Sequence, residues 1–186
     1  MAELQGARVL VTGGAGFIGS ALVDELLTLG ATVAVLDNFA NGKRENISHH
    51  DDSGAFQCIE GSVLDEDALE RAVRRVDVVF HLATLGVRHS IKHPFENHRV
   101  NAEGTLKTLM KAREAHVRRF VYCSSSEIYG TAEFVPMTES HPPHPCTVYG
   151  ASKLAGEAYA RAYYRTYEME TVVIRPFNTF GPRSHH

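Results

Sequence analysis

The chain is poor in cysteine: of its 186 residues only Cys58, Cys123 and Cys146 are cysteines, too few and too scattered for a disulfide framework or a zinc knuckle. It also lacks any uninterrupted apolar run near the ~18 to 20 residues that a spanning helix requires, which argues for a soluble protein with no membrane partner. Met1 to Arg8 carries no long apolar segment, and the first hydrophobic run ends in a glycine cluster instead of a cleavage site, so secretion is not expected. The 19 basic residues are spread along a chain of net charge -3, without the dense Lys/Arg block that nucleic acid would demand. These absences leave a cytoplasmic protein with a small-molecule partner. With 44% apolar and 22% charged residues, the chain can bury one core, so one domain over 1–186 is expected.

Six β-branched runs recur with helical stretches between them: Arg8 to Thr12, Thr32 to Asp37, Ala55 to Ile59, Asp77 to His81, Arg119 to Cys123 and Thr171 to Arg175. This rhythm predicts an α/β fold of βαβ units. Val9-Leu10-Val11 and Val78-Val79-Phe80 do not alternate with polar residues, as expected of parallel strands covered by helices on both faces. Phe17 to Leu29 should form a helix stopped by Gly30, and Asp65-Glu66-Asp67 places acids at a helix start. Pro94 should open a helix running to about Ala115. Val148 to Tyr167 should form a long helix, preceded by a loop stiffened by Pro142, Pro143 and Pro145.

Gly13, Gly16 and Gly19 follow the first strand and open the first helix, the context in which a glycine triplet is informative. The spacing permits a sharp turn, close approach of backbone to a pyrophosphate and tight packing of helix on sheet. Phosphates would then face the helix N-terminus. Asp37 ends the second strand, where a carboxylate accepts hydrogen bonds from an adenosine ribose and repels a 2'-phosphate, favouring NAD over NADP.

Tyr149 and Lys153 stand four positions apart, hence on one face of a helix. A cation about 4 Å from a phenol is worth about 4 kcal/mol, or roughly three pH units, so Lys153 beside an oxidised nicotinamide could make Tyr149 a usable base. Ser124, Ser125 and Ser126 follow the fifth strand, at the end where doubly wound sheets bind ligands, so a hydroxyl there can hydrogen-bond a reacting oxygen. Among eleven histidines, His141 and His144 with Cys146 invite a metal reading, but no further ligand completes a set and no metal is expected. His81 is expected to be a packed, hydrogen-bonded residue.

Taken in order, Thr12 to Gly19, Asp37-Asn38-Phe39, His81 to Thr84, Asn101 with Gly104-Thr105, Ser124 to Gly130, Tyr149 to Lys153 and Arg175 to Asn178 resemble the NAD-dependent epimerase/dehydratase branch of extended short-chain dehydrogenases. The resemblance implies a Rossmann-type doubly wound sheet and an enzyme that oxidises a nucleotide-sugar at C4. It implies NAD contacts from Gly13, Gly16, Phe17, Ile18, Gly19, Asp37 and Asn38, from Ser62 and Val63 near the adenine, and from Leu82, Ala83, Thr84, Asn101, Tyr149, Lys153 and Pro176. Tyr149 would be the base, Lys153 the ribose ligand, Ser125 the catalytic hydroxyl with Ser126 beside it, and Asn178 a holder of the substrate diphosphate. It further implies a homodimer through a four-helix bundle. Ser62 departs from the family's usual Asp, and the chain stops at His186 where members continue into a substrate lobe.

Glu127, two positions after Ser125, resembles the carboxylate of dehydratases and decarboxylases, and Ser125 to Ala132 with Val135-Pro136 look most like hexosamine 4,6-dehydratases. A 4-epimerase, a UDP-glucuronate decarboxylase, an NADPH carbonyl reductase and a non-catalytic NAD-sensing module are the alternatives.

Overall fold

Six parallel strands lie in the order β3-β2-β1-β4-β5-β6. In the computed structural model, which describes residues 4–184, they are β1 (Arg8–Thr12), β2 (Thr32–Asp37), β3 (Phe56–Glu60), β4 (Val78–His81), β5 (Arg119–Cys123) and β6 (Glu170–Ile174). Residues 1–3 of the stretch read for a leader, and His185 and His186, lie outside the described residues. The helices are α1 (Phe17–Thr28), α2 (Glu66–Ala72), α3 (Val87–Lys92), α4 (Pro94–His98), α5 (Gly104–Glu114) and α6 (Val148–Tyr167). No described helix is long and apolar enough to cross a membrane.

The unbroken apolar runs are explained by two cores, one on each face of the sheet. Val9, Val11, Val33 and Val35 pack with Val23 and Leu26 of α1, whereas Leu10, Leu36, Val79 and Phe120 pack with Leu69 of α2, Leu109 of α5 and Ala160 of α6. Successive strand side chains point to opposite faces, so a strand covered on both sides must be apolar at every position. Each fully buried Val, Leu or Phe contributes roughly 1.5 to 3 kcal/mol of transfer free energy. The outer strands β3 and β6 retain exposed positions, because each has a neighbour on one edge only.

Three strands shift by one residue from the sequence expectation. The third is Phe56–Glu60, the fourth starts at Val78, and the sixth is Glu170–Ile174, leaving Arg175 outside the ladder. The expected Pro94 helix is continuous but not uniform. Its α4 and α5 turns are joined by a π-helical stretch, Arg99–Glu103, with His98, Glu103 and Gly104 all in helical backbone conformation. Helix α3 has no counterpart among the expected elements.

Helix ends follow local chemistry. The Asp65 carboxylate accepts from the backbone of Asp67 (3.0 Å) and Ala68 (3.1 Å), capping α2, and the Thr147 hydroxyl accepts from Gly150 N–H (3.0 Å), capping α6. On the outer face of α1, Asp24 Oδ1 meets His49 and His50 at 2.9 and 2.7 Å while Oδ2 takes the Arg183 guanidinium at 2.8 Å, clasping three segments together. Replacing Asp65 with Ala should lower unfolding free energy by about 1 kcal/mol through loss of the cap, seen as a lower urea midpoint at unchanged slope; an unchanged midpoint would show that the cap adds nothing to stability.

Candidate active site

The strand order reverses direction between β1 and β4, the topological switch at which a doubly wound sheet opens a crevice beyond its carboxyl ends. Gly13, with φ +71, sits on one side of it, where a Cβ would come within 2.7 Å of Ala83 N on the other. Such a residue is strained in backbone and blocked in space. A side chain on Gly19 would collide with the Gly13 carbonyl, so the helix start is held tight against the turn. Phe17 and Ile18 begin α1, and Ile18 is exposed beside the crevice.

Asp37 is buried at the end of β2 and accepts from Ala15 N–H (2.9 Å) and Phe39 N–H (2.8 Å). Burial raises its pKa, and the two amide donors oppose that rise. One carboxylate therefore fixes the glycine turn and keeps free lone pairs for ribose hydroxyls. Asn38 is exposed next to it, its side chain accepting from Ala40 N–H at 3.2 Å. Glycine-lined backbone and an acid at the end of β2 are the donor set that a dinucleotide needs, so the residues present fit NAD.

The β4 end forms the opposite wall. Thr105 donates its hydroxyl proton to Asn101 O (2.6 Å), which leaves its oxygen to accept from His81 Nε2 (3.0 Å). His81 Nδ1 then accepts from Thr12 Oγ1 (2.8 Å), and Thr12 Oγ1 accepts from Ala83 N–H (3.3 Å). Only a neutral His81 protonated on Nε2 satisfies every link. Burial, with Lys153 nearby, lowers its pKa to about 3. His81 is thus the packed residue expected, tying the Leu82 to Thr84 wall to β1 and α5.

Asn101, in the π-helical stretch, holds that wall from behind. Its Oδ1 accepts from Leu85 N–H (2.8 Å) and Thr84 Oγ1 (3.1 Å), and its Nδ2 donates to Leu85 O (2.9 Å) and Ser152 Oγ (3.2 Å). With its amide saturated and buried, Asn101 braces the Thr84 and Leu85 stretch from behind. Val63 likewise places its side chain in the core, against Gly104. Ser62 uses its hydroxyl to accept from Leu64 N–H (3.1 Å) at the surface of that core.

Helix α6 brings Tyr149 and Lys153 to the end of β5. Gly150 lets its first turn press on the Glu127 backbone, and Gly156 lets its second half press on Tyr122, whose hydroxyl donates to Lys153 O at 3.2 Å. The Tyr149 phenol lies near the Ser125 and Thr84 hydroxyls, both of which favour its ionised form. Lys153 is 2% exposed, its Nζ 2.8 Å from Cys123 O and 6.0 Å from the Tyr149 ring centre. Desolvation lowers its pKa to about 8. The expected lowering of Tyr149 is for Lys153 beside an oxidised nicotinamide, and the protein groups alone act the other way. Burial raises the phenol, Ser125 opposes the rise, and Lys153 spends its proton on a carbonyl.

Ser125 caps a short turn, Ser126–Ile128, by accepting from Glu127 N–H (3.2 Å). Glu127 is exposed, and its charge is felt at Tyr149. Ser126 is half-buried, its N–H donating to Pro176 O at 3.1 Å. Asn178 is exposed beyond Pro176, at the same end of the sheet. The His141, His144 and Cys146 loop is committed elsewhere: His141 Nε2 accepts from Glu133 N–H (3.1 Å), and His144 pairs with the Glu133 carboxylate (2.8 Å). Sequence reasoning missed the network of Glu157, Arg175 and Tyr129 behind this site. Its signal was Glu157 lying one helical turn beyond Lys153.

A profile of the NAD dependent epimerase/dehydratase family matches residues 9–186. UDP-glucose 4-epimerase of Mycolicibacterium smegmatis is 38% identical over 179 residues, covering 95% of this chain and 57% of that protein. UDP-glucuronic acid decarboxylase 2 of Arabidopsis thaliana is 37% identical over 185 residues, covering 96% of this chain and 40% of that protein. Among solved structures, the dTDP-glucose 4,6-dehydratase DesIV of Streptomyces venezuelae, with NAD bound, superposes with a TM-score of 0.90 at 38% identity, covering 96% of this chain and 58% of that one. The chain thus spans little more than half the length of the first of these relatives. With the glycine cradle, the acid after β2 and the Tyr149, Lys153 and Ser125 cluster in one crevice, and a family match that runs from β1 to the end of the chain, this protein belongs to the NAD-dependent epimerase/dehydratase family.

Proposed function

We propose that the protein acts on a nucleotide-sugar, removing the C4 hydroxyl proton with Tyr149 to give a 4-keto sugar. The observation that carries this reading is the phenol of Tyr149 close to the Ser125 hydroxyl at the carboxyl end of β5, with the Lys153 ammonium 6.0 Å from its ring centre. Bound NAD would supply the hydride acceptor and, when oxidised, a positive charge. Gly13, Gly16, Phe17, Ile18 and Gly19 would hold its phosphates, Asp37 and Asn38 its adenosine ribose, and Lys153 its second ribose. Ser125 would orient the reacting oxygen and share the phenol's proton. Tyr149 needs help to ionise, because burial holds its proton on.

For the step after oxidation we favour a 4,6-dehydratase. A 4-keto group acidifies the C5 proton, and the exposed carboxylate of Glu127, close enough to act on Tyr149 electrostatically, would take part at C5 or in loss of the C6 hydroxyl. The likeness to a 4-epimerase and a decarboxylase supports those two as second readings. A carbonyl reductase using NADPH fits less well with the acid at the end of β2. A cytoplasmic homodimer paired through α5 and α6 is proposed on the exposed Met110, Tyr164 and Tyr167.

Incubation of the protein with NAD and a panel of UDP-, dTDP- and GDP-sugars, followed by NMR, should yield a 4-keto-6-deoxy product. An isomer of unchanged mass would replace the dehydratase reading by an epimerase. Tyr149→Phe should lower kcat by about 10²- to 10⁴-fold, the usual worth of a positioned acid-base group. Undiminished turnover would remove Tyr149 from the mechanism. The chain itself should bind NAD at least about tenfold more tightly than NADP, a difference of about 1.4 kcal/mol, and equal affinities in a calorimetric titration would contradict the role given to Asp37.

A further inference from the structure

Ser125 is held by its neighbours on both sides. Ser124 N–H donates to Ile174 O (2.8 Å) and Ser126 N–H donates to Pro176 O (3.1 Å), so the backbone around the reactive hydroxyl hangs on the two carbonyls that flank Arg175. The Arg175 side chain turns away from the crevice and meets Glu157 of α6 in a two-pronged pair, Nε to Oε1 at 2.8 Å and Nη2 to Oε2 at 2.7 Å. Its remaining nitrogen, Nη1, donates to the Tyr129 hydroxyl (2.7 Å) and to Glu139 O (3.1 Å). Glu157 is 0% exposed and also receives Arg161 Nη2 at 3.1 Å.

Glu157 lies one turn beyond Lys153 on the helix that carries Tyr149. Tyr129 closes the loop that begins with Ser125 and continues through the turn Ser126–Ile128. The pair therefore joins the three segments whose relative placement decides whether the Ser125 hydroxyl meets the Tyr149 phenol: α6, the loop after β5 and the end of β6. A planar guanidinium bonded along two edges fixes direction as well as distance, which a Lys could not do.

We propose that Glu157 and Arg175 are positioning residues for the reaction, setting the register of Ser125 against Tyr149 without touching substrate or cofactor. This inference rests on the functional reading given above. Stability alone is a poor reason for such a pair, since a buried ion pair often adds no more than apolar residues of the same size. Its geometric consequence is specific. Loss of the clamp frees the Ser124 to Gly130 loop while both cores, which the pair does not enter, stay packed.

The test compares Glu157→Gln, and the charge-free double variant Glu157→Met with Arg175→Met, against the unchanged full-length protein. The double variant removes both charges together and so guards against a single variant that fails to fold. In both, hydrogen exchange of a peptide spanning 124–130 should quicken roughly tenfold or more, while peptides from β1 and β2 stay unchanged. In turnover with the nucleotide-sugar that the panel identifies, kcat should fall about 10²-fold with KM and NAD affinity within about threefold, as expected for misplacement by an ångström. Unchanged exchange at 124–130 in a folded variant, or an unchanged kcat, overturns the proposal. Tyr149→Phe separates the two failures: if it is inactive while the Glu157 variants keep full kcat, this inference alone falls, whereas an active Tyr149→Phe defeats the functional reading itself.

Discussion

Lys153 keeps its ammonium almost wholly out of water, bonded to the Cys123 carbonyl where β5 ends, and much of the crevice is arranged around that fact. Taking an ammonium out of water disfavours its charged form, which is why its pKa falls to about 8. The positive charge in turn helps hold His81 neutral and favours the thiolate of Cys123 against the burial that opposes it. Neutral His81 is the tautomer that lets Thr12, Ala83 and Thr105 all be satisfied. The cofactor wall on β4 and the charge on α6 thus constrain each other through one buried ring.

The sheet order supplies the place and the small residues supply the access. Reversal between β1 and β4 opens a crevice, and Gly13 and Gly19 let backbone approach backbone there. On the far side, Gly150 and Gly156 bring α6 down onto the end of β5. Tyr149, Ser125 and Thr84 meet because these two close approaches happen at the same edge of the sheet. Their chemistry is therefore a property of packing as much as of residue type.

Much of this was legible from residues alone. Apolar runs covered on both faces marked β1 and β4, and the preceding prolines marked the start of α6, whose span Val148–Tyr167 is the one expected. Helix α3 escaped because six residues make less than two turns, too few for a period to show. The π-helical stretch around Asn101 escaped because backbone winding leaves no side-chain signature. The hydrogen bonds of Asn101 to Leu85 escaped too, since an amide that braces backbone looks the same in sequence as one that faces a ligand. The rise of the Tyr149 pKa also lay beyond the sequence. Spacing showed that Lys153 shares its face, but not that burial and the Cys123 carbonyl claim the two groups first.

The account turns on whether the Tyr149 phenol, held protonated by burial, is released when the crevice fills. The direct measurement is a pH titration of ring-labelled tyrosine by carbon NMR, with the Tyr149 signal assigned through Tyr149→Phe, first without and then with saturating NAD. The expected signal titrates above the ordinary phenol range in the chain alone and well below it once NAD is bound. A phenol that titrates at the same pH in both states would contradict it.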